Sequence, residues 1–260
     1  MTNAATTFGR DAPAWIDLLG ARTGLICYVG AGGKKTIMLR IAEAHPGRVA
    51  ITATAHIERL PQRYRQAFVV ADGEALYERV MDLKSERVVG FAKPSEQVGR
   101  YAGVTDEELM RLYREGGFEV FLVKADGARG RLIKAPDEHE PPISRHATVV
   151  VPVVSARVIG NPMSDKIAHR PGQVAAATGA SPGEIIRPHH VARLLTSEQG
   201  ALKNTAHAQV IPVINMVDDA EREQLAREAA LEALAMTDRF DRVVLTAMKR
   251  EEPVVATVTR

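Results

Sequence analysis

The sequence contains almost no cysteine. Its single thiol, Cys27, excludes an internal disulfide and a thiol-rich metal site. Cys27 lies in the apolar run Leu25-Ile26-Cys27-Tyr28-Val29, where it reads as a small buried hydrophobe. Long hydrophobic runs are also missing. No stretch could span a bilayer, and the polar segment Met1 to Asp11 lacks the apolar region of a secretory signal. A cytoplasmic protein without a membrane partner is therefore expected. Charge of one sign is missing too: the formal net charge is +2, and basic residues such as Arg63, Arg65, Arg111 and Arg131 are scattered. That argues against a nucleic-acid partner. No internal repeat or low-complexity stretch stands out. With 260 residues, 45% hydrophobic and 25% charged, the chain can bury a full core and has the composition of one globular domain.

Apolar, β-branched runs alternate with helical patterns. Strands are predicted at Leu25 to Val29, Val49 to Thr54, Ala67 to Val70, Arg87 to Gly90, Val120 to Ala125, Ala147 to Val154, Val210 to Asn215 and Val243 to Thr246. Helices are predicted at Thr36 to Ala44, Glu74 to Leu83, Thr105 to Arg114 and Asp218 to Ala235, with Thr105 and Glu108 set as a capping box. Lys134 to Pro142 reads as a loop. The Gly- and Pro-bearing stretch Ile159 to Pro188 reads as a lid or a small helical insertion. The apolar stretch Val254 to Val258 is either an edge strand or the contact of a homodimer. The alternation predicts an α/β fold, a mostly parallel sheet with flanking helices, whose ligands sit at the carboxyl ends of the strands.

The chemistry-bearing residues fall at those strand ends. Gly30-Ala31-Gly32-Gly33-Lys34-Lys35-Thr36 follows a strand and opens a helix. Glycines let backbone N–H groups turn around a phosphate, and the helix start adds partial positive charge. The pattern is the short form G-x-x-G-K, also seen in Mur-ligase-type ATP-binding loops, which predicts a P-loop NTPase-like fold. Lys34 is expected to hold phosphates. Lys35 occupies the place of the usual Mg²⁺-binding hydroxyl, and Thr36 comes one position late. Asp126 ends the strand Val120 to Ala125, where an acidic residue would hold Mg²⁺ or its water shell, and Arg129 could clamp a phosphate. His56 ends the second strand. Lys134, His139 and Glu140 belong to a charged, proline-stiffened loop that could serve a metal or a substrate or simply be a solvated surface. His169-Arg170 and His189-His190 lack a carboxylate or cysteine at ligand spacing. Asn215-Met216-Val217-Asp218 is half of the N-K-x-D signature that reads guanine, with Met216 replacing the lysine.

In this order, these pieces resemble the YqeC-like selenium-cofactor biosynthesis proteins, accessory proteins of selenium-dependent molybdenum hydroxylases. The matching residues are Val29 to Lys34, the strand end closing at His56, Ala125-Asp126-Gly127-Ala128-Arg129-Gly130, Lys134 to Pro141, His169-Arg170 and Gly200 to Asn204. The resemblance implies a P-loop-like nucleotide-binding protein that helps mature a molybdenum hydroxylase, handling selenium or the molybdenum cofactor. It raises Asp126, Arg129, Lys134, His139 and Glu140 to candidate site residues. The chain departs from the family pattern at Lys35, where Thr is usual, at Lys124, where Glu is usual, and at Ala53 and Ala55, which interrupt a run of threonines.

The expectation is thus a protein that binds ATP or GTP at Gly30 to Thr36. Asp126 orients metal or water, and His56, Arg129, Lys134, His139 and Glu140 line the adjoining crevice. An ammonium group near a divalent ion is repelled. Lys35 and Lys124 are therefore expected to replace the metal in part, leaving Mg²⁺ doubtful and hydrolysis weak. Two alternatives stand beside this: a non-hydrolysing chaperone on a degenerate loop, and a small-molecule kinase or ligase. The expected partners are the nucleotide and a molybdenum hydroxylase or its maturation proteins.

Overall fold

The computed structural model describes residues 12–64 and 67–260; the readings made at Met1 to Asp11 and at Arg65 lie outside them. The strands are β1 Gly24–Gly30, β2 Val49–Ala53, β3 Ile57–Glu58, β4 Phe68–Val70, β5 Val88–Ala92, β6 Arg100–Tyr101 and β7 Val120–Lys124. They continue with β8 Ile133–Lys134, β9 Val149–Ser155, β10 Ala168–His169, β11 Gln209–Val210, β12 Val213–Asn215, β13 Arg242–Thr246 and β14 Val254–Thr259. The helices are α1 Ala14–Leu18, α2 Lys34–Ala44, α3 Gly73–Met81, α4 Asp106–Glu115, α5 Pro171–Thr178, α6 Pro188–Thr196 and α7 Ala220–Met236.

The main sheet runs β14-β13-β12-β9-β1-β7-β2-β5-β4, with β11 beside β9. Every pairing is parallel except β13 with β14 at one edge. The strands are apolar almost throughout because helices cover both faces. On one face Ile26, Tyr28, Ile51, Leu122, Val151 and Val213 pack with Ile37, Met38 and Ile41 of α2. On the other, Leu25, Cys27, Val29, Phe91, Phe121 and Val123 pack with Leu76 and Val80 of α3 and with Leu109 and Leu112 of α4. Farther along, Val154, Ile214, Val243 and Leu245 meet Val191 and Leu195 of α6 and the alanine face Ala226, Ala229, Ala230 and Ala233 of α7. Cys27 is fully buried, and burial pushes its thiol up to about 12. Among the described residues no helix is long and apolar enough to cross a membrane.

Several boundaries differ from the sequence reading. Helix α2 starts at Lys34, two residues early, because Gly33 supplies the left-handed N-cap. The run Val210 to Asn215 breaks into β11 and β12 around Pro212, which has no N–H for a ladder. Strand β7 ends at Lys124, so Asp126 lies beyond the ladder. The capping box forms: Glu108 N–H donates to Thr105 Oγ1 at 3.2 Å and Thr105 N–H to Glu108 Oε2 at 2.8 Å. Val254 to Val258 lies in an edge strand. The Lys134 to Pro142 loop begins on β8, which pairs with β10, and the 159–188 stretch carries α5.

Candidate functional site

The glycine loop sits where β1 emerges between β7 and β9. Gly30, Gly32 and Gly33 take φ of 86°, 98° and 109°, which L side chains rarely adopt. The neighbours leave no room either. A Cβ on Gly30 would lie 2.4 Å from Val153 O, and one on Gly32 would lie 2.5 Å from Ser155 N. Ala31 N–H donates to Val153 O at 2.8 Å, pinning the loop to β9. Asn215 braces it from β12: its Nδ2 donates to Gly32 O at 2.7 Å, and its Oδ1 accepts from Thr246 Oγ1 at 2.9 Å. The loop feeds into α2, whose first-turn N–H groups have no intrahelical partner, so the backbone forms an anion cradle.

Beneath the loop lies a buried ion cluster. Asp126, 2% exposed, accepts from Gly30 N–H at 2.9 Å through Oδ2. Lys134 Nζ stands 3.0 Å from the same oxygen, and Lys34 Nζ is 2.8 Å from Oδ1. Lys34 also donates to the Gly30 carbonyl. Lys134 contacts Glu140 Oε2 at 2.7 Å and the Gly127 carbonyl at 2.7 Å, and Arg170 bridges Glu140 to Asp137. Burial alone would raise the Asp126 carboxyl, but Lys34, Lys134 and the Gly30 N–H outweigh it and hold it below the usual range. The same contest runs at Glu140, where Lys134 and Arg170 win. Burial pushes the Lys34 ammonium down, against the pull of Asp126.

Above the loop opens a cavity of about 470 Å³. Its walls carry Lys34, Lys35, Arg100, Lys124, Arg129, Arg131 and Arg170 against two carboxylates, Glu58 and Glu140. Lys35 is paired with Glu58 at 2.8 Å. Such a cavity concentrates anions. His169 lines it as well, and burial followed by Lys134 and Arg170 pushes its imidazole down, toward the neutral form.

Lys124 donates to the His56 carbonyl, and burial with the nearby Lys34 lowers its ammonium to about 8. Asp126, Lys134 and Glu58 are the other charges facing it. A phosphate ligand should therefore bind more weakly as pH rises from about 7 to about 9, because Lys124 loses its charge there whereas an unperturbed lysine would keep it. Folding stability has the opposite slope. Between about 8 and the ordinary lysine value of 10.5 the unfolded chain binds more protons at this residue, so stability rises with pH. Titrating pyrophosphate by calorimetry from about pH 7 to about pH 9 should show wild type losing affinity several-fold relative to Lys124→Arg, which meets the same ligand ionisation but keeps its own charge.

The sequence-predicted residues separate into groups. Gly32, Gly33, Lys34, Lys35, His56, Arg129 and Glu140 line the cavity. Gly30, Asp126 and Lys134 contact one another in the buried ion cluster and are not among the cavity's lining residues. Thr36 and His139 are exposed and are not among the lining residues. Asn215 serves the loop. Asp218 pairs with Arg157 through Nε at 2.9 Å and is likewise not a lining residue. The ammonium groups touching Asp126 belong to Lys34 and Lys134, whereas Lys35 and Lys124 point to Glu58 and to the His56 carbonyl. His190 accepts from Arg187 N–H at 3.1 Å at the start of α6, a helix-end role. Among the described residues no group of three or more His, Cys, Asp or Glu side chains could hold a metal. Sequence reasoning missed Arg100 and Arg131 in the cavity wall, which belong to no motif; Met216, read only as part of the half signature Asn215 to Asp218, lines it too.

A mostly parallel sheet, a glycine loop between its central strand and a helix, and an acidic residue from the adjoining strand define a P-loop NTPase-like α/β protein. Within that class the chain belongs to the YqeC protein family, whose model matches residues 26–172, more than half of the chain. It is also 33% identical over 199 residues, 75% of this chain and 77% of the relative, to "Uncharacterized protein YqeC" of Escherichia coli (strain K12).

Proposed function

We propose that the protein binds the phosphate chain of a nucleoside triphosphate, ATP or GTP, on the loop Gly30 to Thr36. On this reading it acts as an accessory protein in the maturation of a molybdenum hydroxylase, a selenium-dependent one in the form the family resemblance implies. One observation carries the phosphate reading: a three-glycine cradle, braced by Asn215 and closed by a helix start, opens into a cavity lined mainly by cations. Arg129 and Arg131 have no ion pair or side-chain hydrogen bond among the described residues, so an anionic ligand would supply their counter-charge. The base could read little from Asp218, which is committed to Arg157. The maturation role rests on family membership.

A non-hydrolysing chaperone is the second reading, favoured by the state of Asp126. Both its oxygens are engaged by Lys34, Lys134 and Gly30, which leaves it poorly placed to activate water.

Calorimetric titration of ATP, GTP and non-hydrolysable analogues should give micromolar binding to wild type. Binding should be lost in Lys34→Ala and weakened about tenfold in Arg129→Ala, an exposed position where folding is not at stake. Phosphate release separates the two readings. No binding of either nucleotide would sink the nucleotide reading and leave a chaperone that does not use one. The maturation role fails if cells lacking the protein keep full hydroxylase activity.

A further inference from the structure

We propose that Lys134 is the resident cation of the phosphate site. It stands against Asp126 where a divalent metal would otherwise neutralise that carboxylate, so the nucleotide is held without Mg²⁺. The inference rests on the nucleotide reading above and concerns what balances the charge.

An aspartate beside a phosphate loop can serve Mg²⁺ or its water shell only through an available oxygen. Here both oxygens already face cations: Oδ2 accepts from Gly30 N–H at 2.9 Å and stands 3.0 Å from Lys134 Nζ, while Oδ1, buried and without a hydrogen bond, is ion-paired with Lys34 Nζ at 2.8 Å, so a metal could reach neither without breaking an ion pair. Lys134 is an internal group, its side chain 0% exposed. A lysine ammonium has three N–H donors, and three acceptors surround this one: Asp126, Glu140 at 2.7 Å and the Gly127 carbonyl at 2.7 Å. A metal at Asp126 would have to displace a saturated ammonium and then sit among Lys34, Lys134 and Lys124. Glu140 is a poor substitute ligand, because Lys134 and Arg170 both hold its Oε2 and a metal there would face two fixed positive charges.

The loop side offers no better metal site. Lys35 stands after the loop lysine and is paired with Glu58. Thr36, the nearest hydroxyl in the loop, is exposed and absent from the cavity wall. The residues present therefore do not fit Mg²⁺, whereas the cavity supplies cations of its own in Lys124, Arg129 and Arg131. Lys134 acts as a positioning residue: it holds Asp126, and through it the Gly30 N–H, in the geometry of the loop.

The test titrates ATP and GTP into wild type and Lys134→Met, each in Mg²⁺ and in EDTA. Wild type should bind no more weakly in EDTA than in Mg²⁺. Lys134→Met, with Asp126 freed on one side, should come to depend on Mg²⁺ by about tenfold. A wild-type affinity that falls about tenfold or more in EDTA overturns the inference and leaves the nucleotide reading standing. Absence of binding in both buffers overturns the two together. Should Lys134→Met fail to fold, paramagnetic resonance on wild type decides. With Mn²⁺ and nucleotide present, added protein should leave the free hexaaqua Mn²⁺ signal unchanged or larger. A fall in that signal, from metal drawn into a ternary complex, overturns the inference.

Discussion

Asp126→Ala is expected to lower the free energy of unfolding by about 3–5 kcal/mol, the cost of leaving buried charges without their partner. Among the described residues Asp126 is the only carboxylate in contact with Lys34, and it shares Lys134 with Glu140. Its removal strands a lysine that is 5% exposed and frees the Gly30 N–H that anchors the loop to the cluster. Chemical denaturation with matched slopes measures the loss. Asp126→Asn separates charge from shape: it keeps an acceptor for Gly30 but no negative charge for the lysines, and should recover only a minor part of the stability. A loss below about 1 kcal/mol in Asp126→Ala would show that the cluster is a surface-like pairing of little worth. Screening by salt should change little, because buried pairs are shielded from counterions.

The second large effect is expected from Gly32→Ala. The alanine would have to hold φ near 98° with its methyl 2.5 Å from the Ser155 backbone nitrogen. The backbone strain costs about 1–3 kcal/mol. Overlap with a strand that cannot move away adds a similar amount, about 1–3 kcal/mol. Relief comes only by shifting the loop, which also breaks the bond from Asn215 to Gly32 O. Nucleotide binding should therefore vanish even where the variant still folds, as read by calorimetry beside a melting curve. Gly172→Ala, in α5 and not among the cavity-lining residues, is the control: nothing lies within 4 Å of its added Cβ, so stability and binding should stay near wild type. Tolerance of Gly32→Ala with full binding would mean that the loop does not form the phosphate cradle.

The fold class was legible because its signal is local. Short apolar runs such as Val120 to Val123 and the β-branched Val149 to Val151 read as strands buried on both faces, and the segments between them carry a helical period. The glycine loop was legible for the same reason, since steric permission for positive φ is a property of single residues. Two boundary slips were local: Pro212 split one strand into two, and Gly33 started α2 early. Where the site reading slipped, long-range geometry intervened. Asn215 matched half of a base-reading signature, yet its amide is spent on Gly32, and Asp218 turned to Arg157. A four-residue motif cannot show which way its side chains face.

The amino-acid sequence by itself determined the alternation of strands and helices, the phosphate-type loop and the family, because each is written in neighbouring residues. Only the tertiary structure decided the partners of Asp126. Sequence reasoning placed Lys35 and Lys124 beside the presumed metal position, whereas Lys34 and Lys134 made the contacts. Lys134 is eight positions after Asp126 and reaches it because β8 pairs with β10, folding the segment back under the loop. Which cation neutralises a buried carboxylate is set by distance in space, and at low dielectric a contact of 3 Å outweighs any ranking by sequence position.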